Sequence, residues 1–124
     1  MTGKVYLVGA GPGALDLLTL RAARLLAEAD CVFHDALIHP DMLALAPHAH
    51  LFSVGKRCGG PSTAQQVIDQ QLVDAARHYQ RIVRLKGGDP MLFSRAQEEI
   101  DALTAAGIEF EVIPGVTAAS GAAA

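Results

Sequence analysis

The chain has 124 residues, enough for one domain, and 51% of them are hydrophobic against 19% charged. That balance supports a buried core and excludes an intrinsically disordered chain. Ten Lys and Arg against thirteen Asp and Glu leave a net charge of -3, without the basic surplus of a protein that grips nucleic-acid phosphates; a local basic pocket for a small anion stays open.

No apolar run approaches the ~18 residues that cross a bilayer. Met1 to Gly13 carries one Lys and then four apolar residues before the glycines begin, too few for the apolar region of a signal peptide. Cys31 and Cys58 lie far apart with no paired spacing and read as reduced thiols of a cytoplasmic protein. The five histidines follow no metal-ligand pattern; His48 and His50 can share a strand face, but no third ligand accompanies them.

In chain order, Lys4 to Val8 is a short β-branched and apolar run, a strand buried on both faces, followed by the loop Gly9 to Gly13. Thr19 caps a helix to Glu28 with one leucine-rich side. Cys31 to His34 is a second strand ending at Asp35, and Pro40 starts a short helix through Leu45. Leu51 to Val54 is a third strand, ending in Gly55-Lys56-Arg57. Ser62-Thr63-Ala64-Gln65 reads as a capping box and opens a helix whose expected core face is Val67, Ile68, Leu72, Val73 and Ala76. Arg81 to Leu85 is a fourth strand, ending in Lys86-Gly87-Gly88-Asp89-Pro90. A helix from Ser94 to Ala106 stops at Gly107, a left-handed C-terminal position. Ile108 to Ile113 is a fifth strand, followed by Pro114-Gly115-Val116-Thr117 and an alanine-rich segment that begins another helix. Strands alternating with helices predict an α/β fold: an open five-stranded parallel sheet with helices on both faces. A chain that stops inside a nascent helix reads as part of a longer protein.

In a parallel sheet the loops after the strands share one edge, where open α/β sheets bind ligands. Gly9 to Gly13, Asp35, Gly55 to Arg57, Lys86 to Pro90 and Pro114 to Thr117 are therefore expected to converge. Gly9, Gly11 and Ala14 satisfy the dinucleotide pattern, with Asp35 at a suitable distance, which keeps a nicotinamide-dependent oxidoreductase in view. Pro12 argues against it, because it removes a main-chain N–H from the turn that would hold a pyrophosphate; a nucleoside ligand without phosphates suits that loop better. Gly87-Gly88 allows close approach of a ligand to main chain, or is ordinary turn chemistry. Lys56, Arg57, Arg84, Lys86 and Arg95 place half of the basic residues near this edge, as a polycarboxylate substrate requires or as solvated loop charges. Asp35 reads either as a cap for its turn or as an acid/base group, and Lys56 either as a solvated charge or as a proton donor.

The loops together are more specific than each alone. Val5-Tyr6-Leu7-Val8-Gly9-Ala10-Gly11-Pro12-Gly13 with Leu17-Leu18-Thr19-Leu20, then Asp35-Ala36-Leu37-Ile38, Val54-Gly55-Lys56-Arg57, Val83 to Pro90 and Pro114 to Ser120 resemble, in order and spacing, the tetrapyrrole (corrin/porphyrin) methyltransferases, and in particular their uroporphyrinogen-III C-methylating members. The resemblance runs from about Gly3 to the last residue of a chain about half the family's length. It implies the N-terminal α/β domain (1–124) of a two-domain enzyme, a second domain absent from this chain, and no activity of these residues alone. It further implies S-adenosylmethionine as methyl donor, S-adenosylhomocysteine as product, no metal, and a homodimer in the full-length form. The cofactor contacts then fall on Pro12, Gly87, Gly88, Asp89, Leu92, Thr117 and Ala118, the proton acceptor on Asp35, the proton donor on Lys56 and a substrate contact on Arg95. The implied reaction is two methyl transfers to uroporphyrinogen III, giving precorrin-2 for siroheme and cobalamin synthesis; another tetrapyrrole or diphthamide methyltransferase shares the same fold. Family members often read Phe-Gly-Arg-Gly-Gly-Glu-Glu where this chain has Phe93-Ser94-Arg95-Ala96-Gln97-Glu98-Glu99, and His34 stands where a tyrosine is common.

Overall fold

A computed structural model describes residues 3–10, 18–35, 38, 40–54, 65–87 and 95–113, the side chain of Arg95 excepted. The elements are β1 (Lys4–Gly9), α1 (Leu20–Glu28), β2 (Cys31–His34), α2 (Pro40–Leu43), β3 (His50–Ser53), α3 (Gln65–His78), β4 (Arg81–Lys86), α4 (Arg95–Ala105) and β5 (Glu109–Ile113). They form a five-stranded sheet in the order β3-β2-β4-β1-β5, and every pairing is parallel. The expected open parallel sheet is present.

The chain moves outward through β1, β2 and β3, then returns to insert β4 between β2 and β1 and to add β5 beyond β1. Because crossovers between parallel strands are right-handed, reversing the direction of travel moves the helices to the other face. The packing follows this. Val8, Val32, Val83 and Leu85 meet Ala22 and Leu26 of α1 and Met42 of α2. Val5, Leu7, Cys31, Phe33 and Ile82 meet Ile68 and Leu72 of α3 and Leu103 of α4. Alternate residues of the central strands thus feed two cores, as a sheet buried on both faces requires. Cys31 is a buried free thiol, and burial pushes its pKa up to about 12.

Thr19 caps α1 as expected, its Oγ1 accepting from the Ala22 N–H at 3.1 Å. α2 ends at Leu43, short of Leu45, and tightens into three-residue turns in which Leu45 and Ala46 donate to Met42 and Leu43. In α3 the buried residues are Ile68, Leu72, Val73, Ala75 and Ala76, whereas Val67 is 49% exposed. Val67 lies about 100° round the helix from Ile68, on the side away from Leu72 and Ala76, and Ala75 takes its place against the sheet. Of the expected capping box only Gln65 is described, and its amide donates to Asp69 and Glu99. Gly107 ends α4 at φ +71°, the left-handed conformation its position called for. Among the described residues no helix is long and apolar enough to cross a membrane.

Candidate active site

The site grows from the alternation of β4. Ile82, Arg84 and Lys86 point to the α3/α4 face, and Val83 and Leu85 to the other. Two cations therefore enter a layer that is otherwise apolar, Arg84 with 3% and Lys86 with 5% of its surface exposed. A charge so placed needs a partner. Glu99 of α4, fully buried, supplies it: its Oε2 accepts from Arg84 Nε at 3.1 Å and Lys86 Nζ at 3.4 Å, and from Gln65 Nε2 at 3.2 Å. Burial pushes the Lys86 ammonium below the usual lysine range; the charges of Glu99 and Asp35 oppose that shift and that of Arg84 adds to it. Asp69, hydrogen-bonded to the same Gln65, is raised, chiefly by its own burial and further by the charges of Glu99 and Glu98.

Asp35 follows β2, beside the end of β4, where its main-chain N–H donates to the Leu85 carbonyl at 3.4 Å. Its Oδ1 pairs with Arg84 Nη1 at 3.0 Å, and its Oδ2 accepts from the Gly87 N–H at 3.2 Å. The same Nη1 reaches the carbonyls of Phe33 and Leu85 at 3.4 and 3.3 Å. Arg84 thus joins a buried carboxylate, Glu99, to one whose side chain is 34% exposed, Asp35. A carboxylate oxygen has two lone pairs, so Asp35 keeps acceptor capacity on its open side. It is a fixed, partly wetted group at the edge of the sheet, suited to receive a proton from a molecule bound there.

Main chain from a third strand reaches the same place. The Ala10 N–H donates to the Lys86 carbonyl at 2.7 Å, which sets the start of the first glycine loop beside the Gly87 turn. Gly87 is exposed, and a Cβ built there would meet no protein atom within 4 Å, so the backbone is open to a ligand lying along the edge. Among the described residues no group of three or more His, Cys, Asp and Glu is placed to hold a metal ion.

Of the residues singled out from sequence, Asp35 and Gly87 come together in one hydrogen bond. Arg95 opens α4, its side chain being outside the description. Pro12, Lys56, Gly88, Asp89, Leu92, Thr117 and Ala118 lie outside the described residues. Arg84 and Lys86 correct the reading of the edge cations: they are neither solvated nor free for a carboxylate substrate, because both are buried on Glu99. Glu99 is the residue that sequence reasoning missed. Its signal was a carboxylate between Ala96 and Leu103, both buried, at the spacing of a helix's core face.

The chain matches the family model of the tetrapyrrole (corrin/porphyrin) methylases over residues 4–124. It is 56% identical to the siroheme synthase of Pseudomonas fluorescens strain Pf0-1 over 124 residues, which is 99% of this chain and 27% of that protein. Among solved structures, a uroporphyrin-III-C-methyltransferase from Thermus thermophilus superposes with a TM-score of 0.82 at 52% identity, covering 94% of this chain and 49% of the other. A uroporphyrin-III C-methyl transferase from the same organism, complexed with S-adenyl homocysteine, gives 0.79 at 48% identity over 93% of this chain and 46% of that one. The chain spans about a quarter of the curated relative's length and about half of the solved ones. Matching the family model over nearly its whole length, the chain belongs to the tetrapyrrole (corrin/porphyrin) methylases.

Proposed function

We propose that this chain is the first domain of an S-adenosylmethionine-dependent C-methyltransferase that acts on uroporphyrinogen III, adding two methyl groups to give precorrin-2. The observation that carries this reading is the Asp35 carboxylate, held by Arg84 and the Gly87 N–H at the strand-end edge, in a chain 52% identical to a uroporphyrin-III-C-methyltransferase. The relative complexed with S-adenyl homocysteine supports S-adenosylmethionine as the methyl donor here. The exposed Gly87 main chain, where a Cβ would have no neighbour within 4 Å, fits close approach of such a molecule. The match to about half of each solved relative supports a second domain closing the cleft.

When bound, S-adenosylmethionine would supply an electrophilic sulfonium methyl: an electron-rich pyrrole carbon would attack that methyl in line as the methyl–sulfur bond breaks, with S-adenosylhomocysteine as the leaving group. The protein's part is to bind, orient and move protons, and orientation alone accounts for several kcal/mol, up to about 7–11, of a lowered barrier. Asp35 accepts the proton lost from the ring system. Its carboxylate is already turned by two hydrogen-bond partners, so no side-chain search precedes the transfer. Lys56 serves as proton donor, Arg95 meets the substrate, and Pro12, Gly87, Gly88, Asp89, Leu92, Thr117 and Ala118 surround the methyl donor.

The test is anaerobic incubation of the full-length protein with methyl-labelled S-adenosylmethionine and uroporphyrinogen III, with mass analysis of the product. Incorporation of two labelled methyl groups is expected. Labelling of a different tetrapyrrole in preference would move the substrate while leaving the family; no transfer to any tetrapyrrole would refute the proposal.

A further inference from the structure

Glu99 sits where α4 has apolar side chains. Ala96 lies three residues before it and Leu103 four after, and both are buried in the layer between helix and sheet. An apolar side chain at this position would join that layer. Instead a carboxylate is held out of water beside two cations that are also out of water. Whole buried ionic networks of this kind can often be exchanged for apolar groups at no loss of stability, so stability does not by itself account for a carboxylate here.

The geometry supplies another role. Arg84 has acceptors besides Asp35: Glu99 on its Nε, and the carbonyls of Phe33 and Leu85 on its Nη1. These set the plane and direction of the guanidinium independently of Asp35. The guanidinium then presents Nη1 to Asp35 Oδ1 at 3.0 Å, and the Gly87 N–H holds the other oxygen. Lys86 is tethered by the same Glu99, through both carboxylate oxygens at 3.4 Å. Two cations share two carboxylates, one deep and one at the edge. Without the deep one, Arg84 would keep Asp35 as its only carboxylate partner among the described residues and Lys86 would be left to the charges of Asp35 and Asp69, so that the pull on Asp35 from beneath the edge would grow.

We propose that Glu99 is a positioning residue for methyl transfer: by engaging Arg84 and Lys86 from behind the sheet it keeps the Asp35 carboxylate at the strand edge in one orientation. This deepens the reading of Asp35 as proton acceptor and rests on it. Glu99 is fully buried, out of reach of a molecule bound at the strand edge, so its loss should act on turnover and leave binding of the methyl donor in place.

A double-mutant cycle in the full-length protein tests this, with methyl transfer to uroporphyrinogen III as the rate and circular dichroism as the check on folding. Glu99→Gln should lower kcat by between about tenfold and about a hundredfold, the scale on which small misplacements of reacting groups act. KM for S-adenosylmethionine should stay within about threefold. In the Asp35→Asn background, Glu99→Gln should cause little further loss, because the two act as one unit. Should Glu99→Gln fail to fold, Glu99→Asp withdraws the carboxylate by one methylene, keeps its charge and enters the same cycle. An unchanged kcat in a folded variant, or losses that multiply in the double mutant, would overturn the positioning role. Asp35→Asn at full rate would instead overturn the proton-acceptor reading beneath it, whatever Glu99 does.

Discussion

At the scale of the residue, a carboxylate becomes a useful base when its orientation is fixed and its open side is wet. Asp35, the proposed proton acceptor, has its orientation set by partners from another strand, Arg84 of β4 and Gly87 of the turn after it, and its side chain is 34% exposed. Gly87 bears the complementary prediction. A Cβ there would meet nothing within 4 Å beyond the adjoining residues, so Gly87→Val should leave thermal unfolding nearly unchanged. If the methyl donor lies along this main chain, the added carbons must collide with it, and affinity should fall at least about tenfold, about 1.4 kcal/mol, within the ~1–3 kcal/mol cost of an overpacked contact. Calorimetric titration of the full-length variant with S-adenosylmethionine measures this, and undiminished binding would remove Gly87 from the cofactor site. Asp35 and Gly87 were legible in the sequence because each ends a recognisable strand. The role of Arg84 was not, since an arginine near a loop reads as solvent-facing until its partner, fifteen positions on in a helix, is known to sit above it.

At the scale of the element, helix and strand positions were read from periodicity, and the residues that strayed did so where the period is ambiguous. Val67 and Ile68 are adjacent and both β-branched, and pattern alone put both on the core face of α3. The structure buries Ile68 and leaves Val67 49% exposed, because the stripe is set by Leu72, Ala75 and Ala76. The difference is measurable by denaturant unfolding. Leu72→Ala, at a fully buried site, should cost about 2–5 kcal/mol, whereas Val67→Thr should stay within about 0.5 kcal/mol. Equal losses at both positions would mean that α3 docks on a different face. The ends of β3 and β4 shift by a residue from their expected bounds for a related reason. Strand ends are set by pairing partners, His50 by Cys31 and Lys86 by Gly9, and no local pattern encodes those.

At the scale of the whole molecule, the alternation of strands and helices identified the parallel α/β sheet, but the order β3-β2-β4-β1-β5 depends on where β4 inserts, which nothing local to Arg81–Lys86 announces. That insertion is what makes the site. It sets the C-terminal end of β4 between the ends of β2 and β1, so that Asp35, Gly87 and Ala10 meet through its main chain and Arg84. The meeting of Ala10, Asp35 and Gly87 at one edge was foreseeable from parallel topology; the chain of ion pairs beneath them, from Glu99 through Arg84 to Asp35, required the packing of α4 against α3 and β4. The proposed role of Asp35 as proton acceptor is tested by comparing Asp35→Asn with the unmodified full-length protein for single-turnover methyl transfer to uroporphyrinogen III and for S-adenosylmethionine affinity in the same preparations. The expected result is a loss of rate of about a hundredfold or more, the scale of a missing general base, with cofactor affinity within about threefold of the original. Transfer at the original rate by the folded Asp35→Asn protein would contradict it.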